Sequence, residues 1–259
     1  MEVIPLARPR TTFTVQSTIR LSDHMVRVRL GGDGFTAFQP NAFTDAYVKL
    51  VFPSADGDVM RTYTVREVDP AAQEIAIDFV YHGDEGIAGP WAAAAQPGDT
   101  IDLMGPGGAY APRPDADWHL LAGDESALPA IAAACAALPS DATGRVFLEV
   151  AGPADELALV HPESVQLTWI HRGDAAPGEK LAAAVRAEPW LDGQVQVFIH
   201  GEAQAVMHDL RPYIRKERGV PAEWASSISG YWRRGRSEEG FRQWKSDLAE
   251  REKATPAVV

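Results

Sequence analysis

GPGGAYAPRPDAD, residues 105–117, divides the chain into two textures, and its reading decides the fold. Glycine and proline at this density break regular structure, so a boundary is expected from Gly105 to Pro114. Upstream, apolar and polar residues alternate over Thr12–Ile19, Met25–Leu30, Tyr47–Phe52, Arg61–Val68, Glu74–Tyr81 and Thr100–Met104. Turn residues separate most of these runs, at 31–34, 54–58 and 69–70. Six short strands so spaced predict an antiparallel Greek-key barrel. Downstream, apolar runs at His119–Ala122, Val146–Val150, Val165–Ile170, Val195–Ile199 and Ser227–Tyr231 read as parallel strands buried on both faces. Helical stretches fall at Leu128–Leu138, Gly178–Ala187, Ala203–Arg218 and Glu238–Lys253. The expectation is a six-stranded barrel over residues 1–112, followed by a five-stranded parallel α/β unit over 113–259.

The 259 residues, 46% hydrophobic and 23% charged, carry enough apolar material for two cores. A single cysteine excludes a disulfide framework and cysteine-ligated zinc or iron–sulfur centres, so redox chemistry would need an organic cofactor. The seven histidines show no metal-ligand spacing, and H-E-x-x-H, G-x-S-x-G and Walker motifs are absent. No apolar run is long enough to cross a membrane, and MEVIPLARPR lacks a signal-peptide core, so a cytoplasmic protein is expected. The net charge of -12 argues against nucleic acid as a partner. It is uneven: residues 1–49 hold six Lys/Arg against four Asp/Glu (+2), and 205–259 hold eleven against eight (+3), leaving -17 between. Mildly basic ends on an acidic body suit an anionic ligand held where the ends meet, and equally suit solvated helix faces.

Three segments offer chemistry. In RTYT, residues 61–64, Arg61 can pair with a phosphate, Tyr63 can lie against an isoalloxazine ring, and the Thr64 hydroxyl can hydrogen-bond its nitrogens. Strict alternation puts Thr64 on the opposite face, so all three reach one ligand only if the strand bends or ends there. In HGDEGIAGPWAAAA, residues 82–95, a glycine-rich turn enters a helix, and backbone N–H groups around Gly86–Ala92 would suit a diphosphate. In AGDESALPAI, residues 122–131, the first parallel strand meets its helix, at the edge where open α/β sheets bind ligands. Each has an ordinary reading as well: an edge strand, a loop, and a helix cap at Asp124–Ser126. No G-x-G-x-x-G fingerprint is present.

Together with LSDHMVRVRLGGDGF, AYVKLVFP, DFVYHGDEGIAGPWAAAAQPGD, LMGPGG, TWIHRG, IHGEAQAV and SGYWRRGRSEEGF, these segments resemble the siderophore-interacting protein family of FAD-dependent ferric-siderophore reductases, from about Arg8 to Lys245. The resemblance implies a ferredoxin-reductase-like layout, with FAD on the barrel and a nicotinamide-binding-like sheet. It implies that Arg61, Tyr63, Thr64, Asp78, Val80 and His82 hold the flavin, with Gly86, Ile87, Ala88, Gly89, Trp91 and Ala92 as the phosphate turn. Ile87 and Gly89 depart from the family pattern, which has Pro and Ser there. Asp124 and Ser126 would face the crevice between flavin and nicotinamide, and Tyr231 and Trp232 would approach from the C-terminal side. Lys49, Arg233 and Arg234 would hold an anionic ferric siderophore. Apart from the resemblance, Arg172 in IHRG stands where an adenosine 2′-phosphate would be met, and it reads equally as an exposed strand-terminal arginine.

Ferric iron is a hard ion held by hard oxygen ligands, and ferrous iron is less committed to them, so reduction releases the metal. The expected activity is electron transfer from NADPH, NADH or a ferredoxin-type protein through FAD to a ferric siderophore. The chain would act as a monomer, with no catalytic side chain and no metal ligand of its own. Two alternatives remain at this level: a ferric-siderophore binding protein that does not reduce, and a general flavin-dependent diaphorase serving a protein partner.

Overall fold

The structure, a computed structural model, describes residues 10–55 and 57–254. The start of the chain with Arg8, Asp56 in the 54–58 turn, and 255–259 lie outside the described residues. Six strands, β1 Arg10–Ser22, β2 Met25–Gly31, β3 Tyr47–Phe52, β4 Val59–Asp69, β5 Glu74–Val80 and β6 Thr100–Gly107, close an antiparallel barrel in the order β1-β2-β5-β4-β3-β6. The alternation read in the sequence sets its two faces. Val26, Val28 and Leu30 of β2 meet Ile75, Ile77 and Phe79 of β5 inside, while Arg27 and Asp78 project outward. Two short helices belong to this unit, α1 Gly34–Ala37 and α2 Ala88–Ala94.

Five parallel strands follow: β7 Trp118–Gly123, β8 Gly144–Val150, β9 Val165–His171, β10 Val195–Glu202 and β11 Ser227–Trp232, in the order β11-β10-β7-β8-β9. The chain runs outward from β7 through β8 to β9, then returns to β10 on the other side. The switch point therefore lies between the carboxyl ends of β7 and β10, where such sheets open a crevice. Helix α3, Leu128–Ala137, is buried nearly all round because it lies between the sheet and β4 of the barrel. Burial there pushes the Cys135 thiol up to about 12, so it is an inert core group. Helix α4, Glu179–Ala187, covers the sheet, and α5, Glu238–Ala254, packs Phe241 and Trp244 against it.

Two expectations change in detail. The helix expected over 203–218 is present and continuous, but it is wound as wide π-type turns at Gln204–Leu210 and Tyr213–Glu217, with Arg211 and Pro212 helical between them. The Gly/Pro segment is not a loose linker: β6 continues through Gly107, which pairs with Tyr47. Beyond it, the Asp45 carboxylate accepts from the Ala109 and Tyr110 amides (both 2.8 Å). Gln196 of β10 then accepts from Arg113 N (2.7 Å) and donates to Ala111 O (3.0 Å), so the connection is fastened to both units. A second clasp joins the β1–β2 turn to the sheet, where Asp155 accepts from Ser22 Oγ (2.8 Å) and meets His24 Nδ1 (3.0 Å).

Candidate functional site: the seam cavity

A cavity of about 590 Å³ opens where barrel and sheet meet, a size typical of cofactor sites. The barrel contributes Arg61, Thr62, Tyr63, Thr64, Asp78, Val80 and His82, and the sheet side contributes Glu125, Ser126, Tyr231, Trp232 and Lys245. The strand geometry that joins Arg61, Tyr63 and Thr64 is visible in the pairing. Thr64 is the last residue of β4 opposite β3, across from Tyr47, and Val65 is the first opposite β5, across from Ile77, with an irregularity just beyond. The strand changes partners at this point, which brings side chains of both faces to one cavity.

Each wall has its own anchoring. Tyr63 packs on Phe79 with ring centroids 4.5 Å apart, and the Thr64 side chain is buried. Arg61 donates to Glu239 of α5 (2.6 Å), so a phosphate at Arg61 would compete with that carboxylate. Asp78 is buried and takes a two-pronged contact from Arg27, Nε at 2.6 Å and Nη2 at 2.8 Å. Lys245 Nζ donates to Ser229 Oγ (2.9 Å) and Gly230 O (3.3 Å), and desolvation pushes its ammonium down.

The Asp124 carboxylate ties β7 to β10 and β11. It accepts from Ser126 N (3.0 Å) and Oγ (2.5 Å) with one oxygen, and from Glu202 N (2.8 Å) and Trp232 Nε1 (2.7 Å) with the other. Gly201 leaves room for this approach: a Cβ there would lie 2.7 Å from Asp124 Oδ2, and φ is +144°. Burial, then the neighbouring Glu125 charge, pushes Asp124 up to about 6 despite these donors. Asp124 thus lies behind the wall and holds Trp232 in it, while Ser126 is on the wall.

Several expected residues stand elsewhere. Gly86, Ile87, Ala88, Gly89, Trp91 and Ala92 do not line the cavity. Ala88 and Ala92 are in the barrel core, and the Trp91 ring sits 5.8 Å from Phe52 and 5.7 Å from Phe79. At Gly89 a Cβ would meet Val80 O at 3.0 Å, so a serine there would need a small shift of the neighbouring strand. Lys49 pairs with Thr62 and Met104 beside the cavity rather than in its lining. Arg233 lies over the Trp244 ring (4.1 Å), Arg234 is exposed, and neither lines the cavity. Arg172 is held by Glu125 at 2.8 Å, with Glu149 at 3.7 Å. Sequence reasoning missed Lys245 and Arg27. The stripe Phe241, Trp244, Lys245, Leu248 along α5 carried a signal for Lys245, whereas nothing local marked Arg27.

Comparison with known proteins places this architecture. The family model for siderophore-interacting proteins matches residues 116–235, and that for the siderophore-interacting FAD-binding domain matches 14–60 and 54–110. An uncharacterized protein of Mycobacterium tuberculosis is 58% identical, covering 96% of this chain and 99% of the relative. Ferric vibriobactin reductase ViuB of Vibrio cholerae is 34% identical over 86% of this chain and 89% of its own. The crystal structure of a siderophore utilization protein from T. fusca superposes with a TM-score of 0.81 at 38% identity, covering 88% of this chain and 94% of that one. Ferredoxin reductases share the fold alone. With both units matched by the family's own models and relatives at this identity along most of its length, the chain belongs to the siderophore-interacting protein family.

Proposed function

We propose that this protein is an FAD-dependent ferric-siderophore reductase that takes reducing equivalents from NADH, NADPH or a ferredoxin-type protein and delivers electrons to a ferric siderophore, freeing iron as Fe(II). The observation that carries the reading is the seam cavity, because its walls offer what a flavin requires. Aromatic surface comes from Tyr63 on one side and Tyr231 and Trp232 on the other, and hydroxyl groups come from Thr64 and Ser126. FAD, when bound, supplies the step from a two-electron hydride donor to one-electron delivery. The side chains bind and orient it: Tyr63 and Tyr231 exclude water from the ring, Arg61 offers a partner to a phosphate, and Asp124 fixes Trp232 in the wall. The turn Gly86–Ala92 would take the diphosphate through backbone N–H groups outside the cavity proper.

In this reading residues 1–112 hold the cofactor and 113–259 complete the seam. Lys245 in the cavity, with Lys49, Arg233 and Arg234 near it, gives positive charge for an anionic ferric chelate. Among the described residues no helix is long and apolar enough to cross a membrane, and no His/Cys/Asp/Glu group could hold a metal ion. In this reading the iron is cargo and stays inside its chelator. The test is anaerobic: the FAD-loaded protein is reduced chemically and mixed with several ferric siderophores and a ferrous-specific chelator. Flavin reoxidation with matching Fe(II) formation supports the proposal. A flavin that only dioxygen or a dye reoxidises refutes it in favour of a diaphorase or a non-reducing carrier.

A further inference from the structure

The carboxyl edge of the parallel sheet is the place where a dinucleotide's diphosphate would meet helix N-termini, whose unpaired N–H groups favour anions. In this chain the amides at the three helix starts along this edge are already taken, by side-chain carboxylates after β9 and β10 and mainly by a main-chain oxygen after β7. After β7, Asp124 accepts from Ser126 N (3.0 Å), and its main-chain oxygen accepts from Leu128 N (3.0 Å) at the start of α3. Glu149, the fully buried penultimate residue of β8, accepts from Gly178 N (2.8 Å) and Leu181 N (3.1 Å) at the start of α4. At the end of β10, Glu202 accepts from Gln204 N (2.5 Å) and Ala205 N (3.2 Å), where the next helix begins. With Glu125, four buried carboxylates line this edge. The cation at the end of β9, Arg172, is engaged by two of them, Glu125 and Glu149. A diphosphate placed here would face like charge and find its donors occupied.

We infer that a nicotinamide donor is read at its nicotinamide end alone, with its diphosphate and adenosine left outside the strand-end crevice. The inference rests on the reductase reading above and specifies the donor for it. The 2′-phosphate then gives no advantage, and a mononucleotide serves nearly as well as a dinucleotide.

The test uses the full-length, FAD-loaded protein in anaerobic stopped flow with NADH, NADPH and reduced nicotinamide mononucleotide. The expected second-order rate constants for flavin reduction agree within about tenfold, equivalent to ~1.4 kcal/mol. A preference beyond about tenfold for either dinucleotide over the mononucleotide, or between NADH and NADPH, overturns the inference. Failure of all three to reduce the flavin overturns it as well, in favour of a protein donor. Chemically reduced protein mixed with ferric siderophore separates the two levels: if it still transfers electrons, the donor inference alone has failed.

Discussion

Replacing Asp124 by Asn tests the wall of the cavity through its pH dependence. The carboxyl titrates at about 6 in the folded protein against 3.8 in the unfolded chain, so between these values the native state binds more protons. Stability from this group is complete below pH 3.8 and is lost as pH rises through about 6. At ~1.4 kcal/mol per pH unit, wild type loses about 2 to 3 kcal/mol from pH 4 to pH 8 by ionising Asp124, and the amide loses none. Against this, the Asn NH2 faces donors where Ser126 or Glu202 and Trp232 need acceptors, which costs about 1 to 3 kcal/mol at every pH. Asp124→Asn should be clearly less stable than wild type at pH 4, and nearly equal to it at pH 8. Urea unfolding of both proteins at matched flavin content across this range measures the gap. A gap constant to within about 1 kcal/mol refutes the reasoning. One that widens with pH would show a carboxylate favoured by its four donors, the opposite balance of desolvation and hydrogen bonding.

Three other outcomes follow from the packing. Arg27→Met leaves the Asp78 carboxylate buried without its partner and should cost about 3 to 5 kcal/mol, seen as a fall in Tm of roughly 6 to 20 °C, with Arg27→Met/Asp78→Leu recovering part of it. Trp91→Ala removes a partly buried ring that packs on Phe52 and Phe79 and should cost about 1 to 3 kcal/mol in urea unfolding. Lys49→Ala should raise the apparent KM for an anionic ferric siderophore about two- to fivefold without changing bound FAD, as suits a half-buried charge beside the site; unchanged kinetics would remove Lys49 from substrate binding.

Local periodicity made both units legible. Val26, Val28 and Leu30 alternate with arginines, and Val146–Val150 is apolar enough to be buried on both faces, so strand type and sheet class follow from neighbours in sequence. What the sequence concealed are contacts between distant positions. Arg27 meets Asp78 51 residues away, Asp124 meets Trp232 108 away, and Arg61 meets Glu239 178 away. No local pattern announces such pairs, since each partner reads alone as an exposed charge or a helix cap. The same blindness affects Gly86–Ala92, whose turn chemistry was readable but whose position relative to the cavity depends on how α2 packs on Phe79. The carboxylate partners of Arg172 are likewise distant in sequence, Glu125 just beyond β7 and Glu149 near the end of β8.

The most direct measurement is a titration of cofactor-stripped protein with FAD, followed by absorbance and calorimetry. The account requires saturable binding of one FAD per chain, a flavin spectrum perturbed by aromatic neighbours, and markedly weaker binding when Tyr63 is replaced by Ala. A folded protein that stays colourless and takes up no FAD would contradict it.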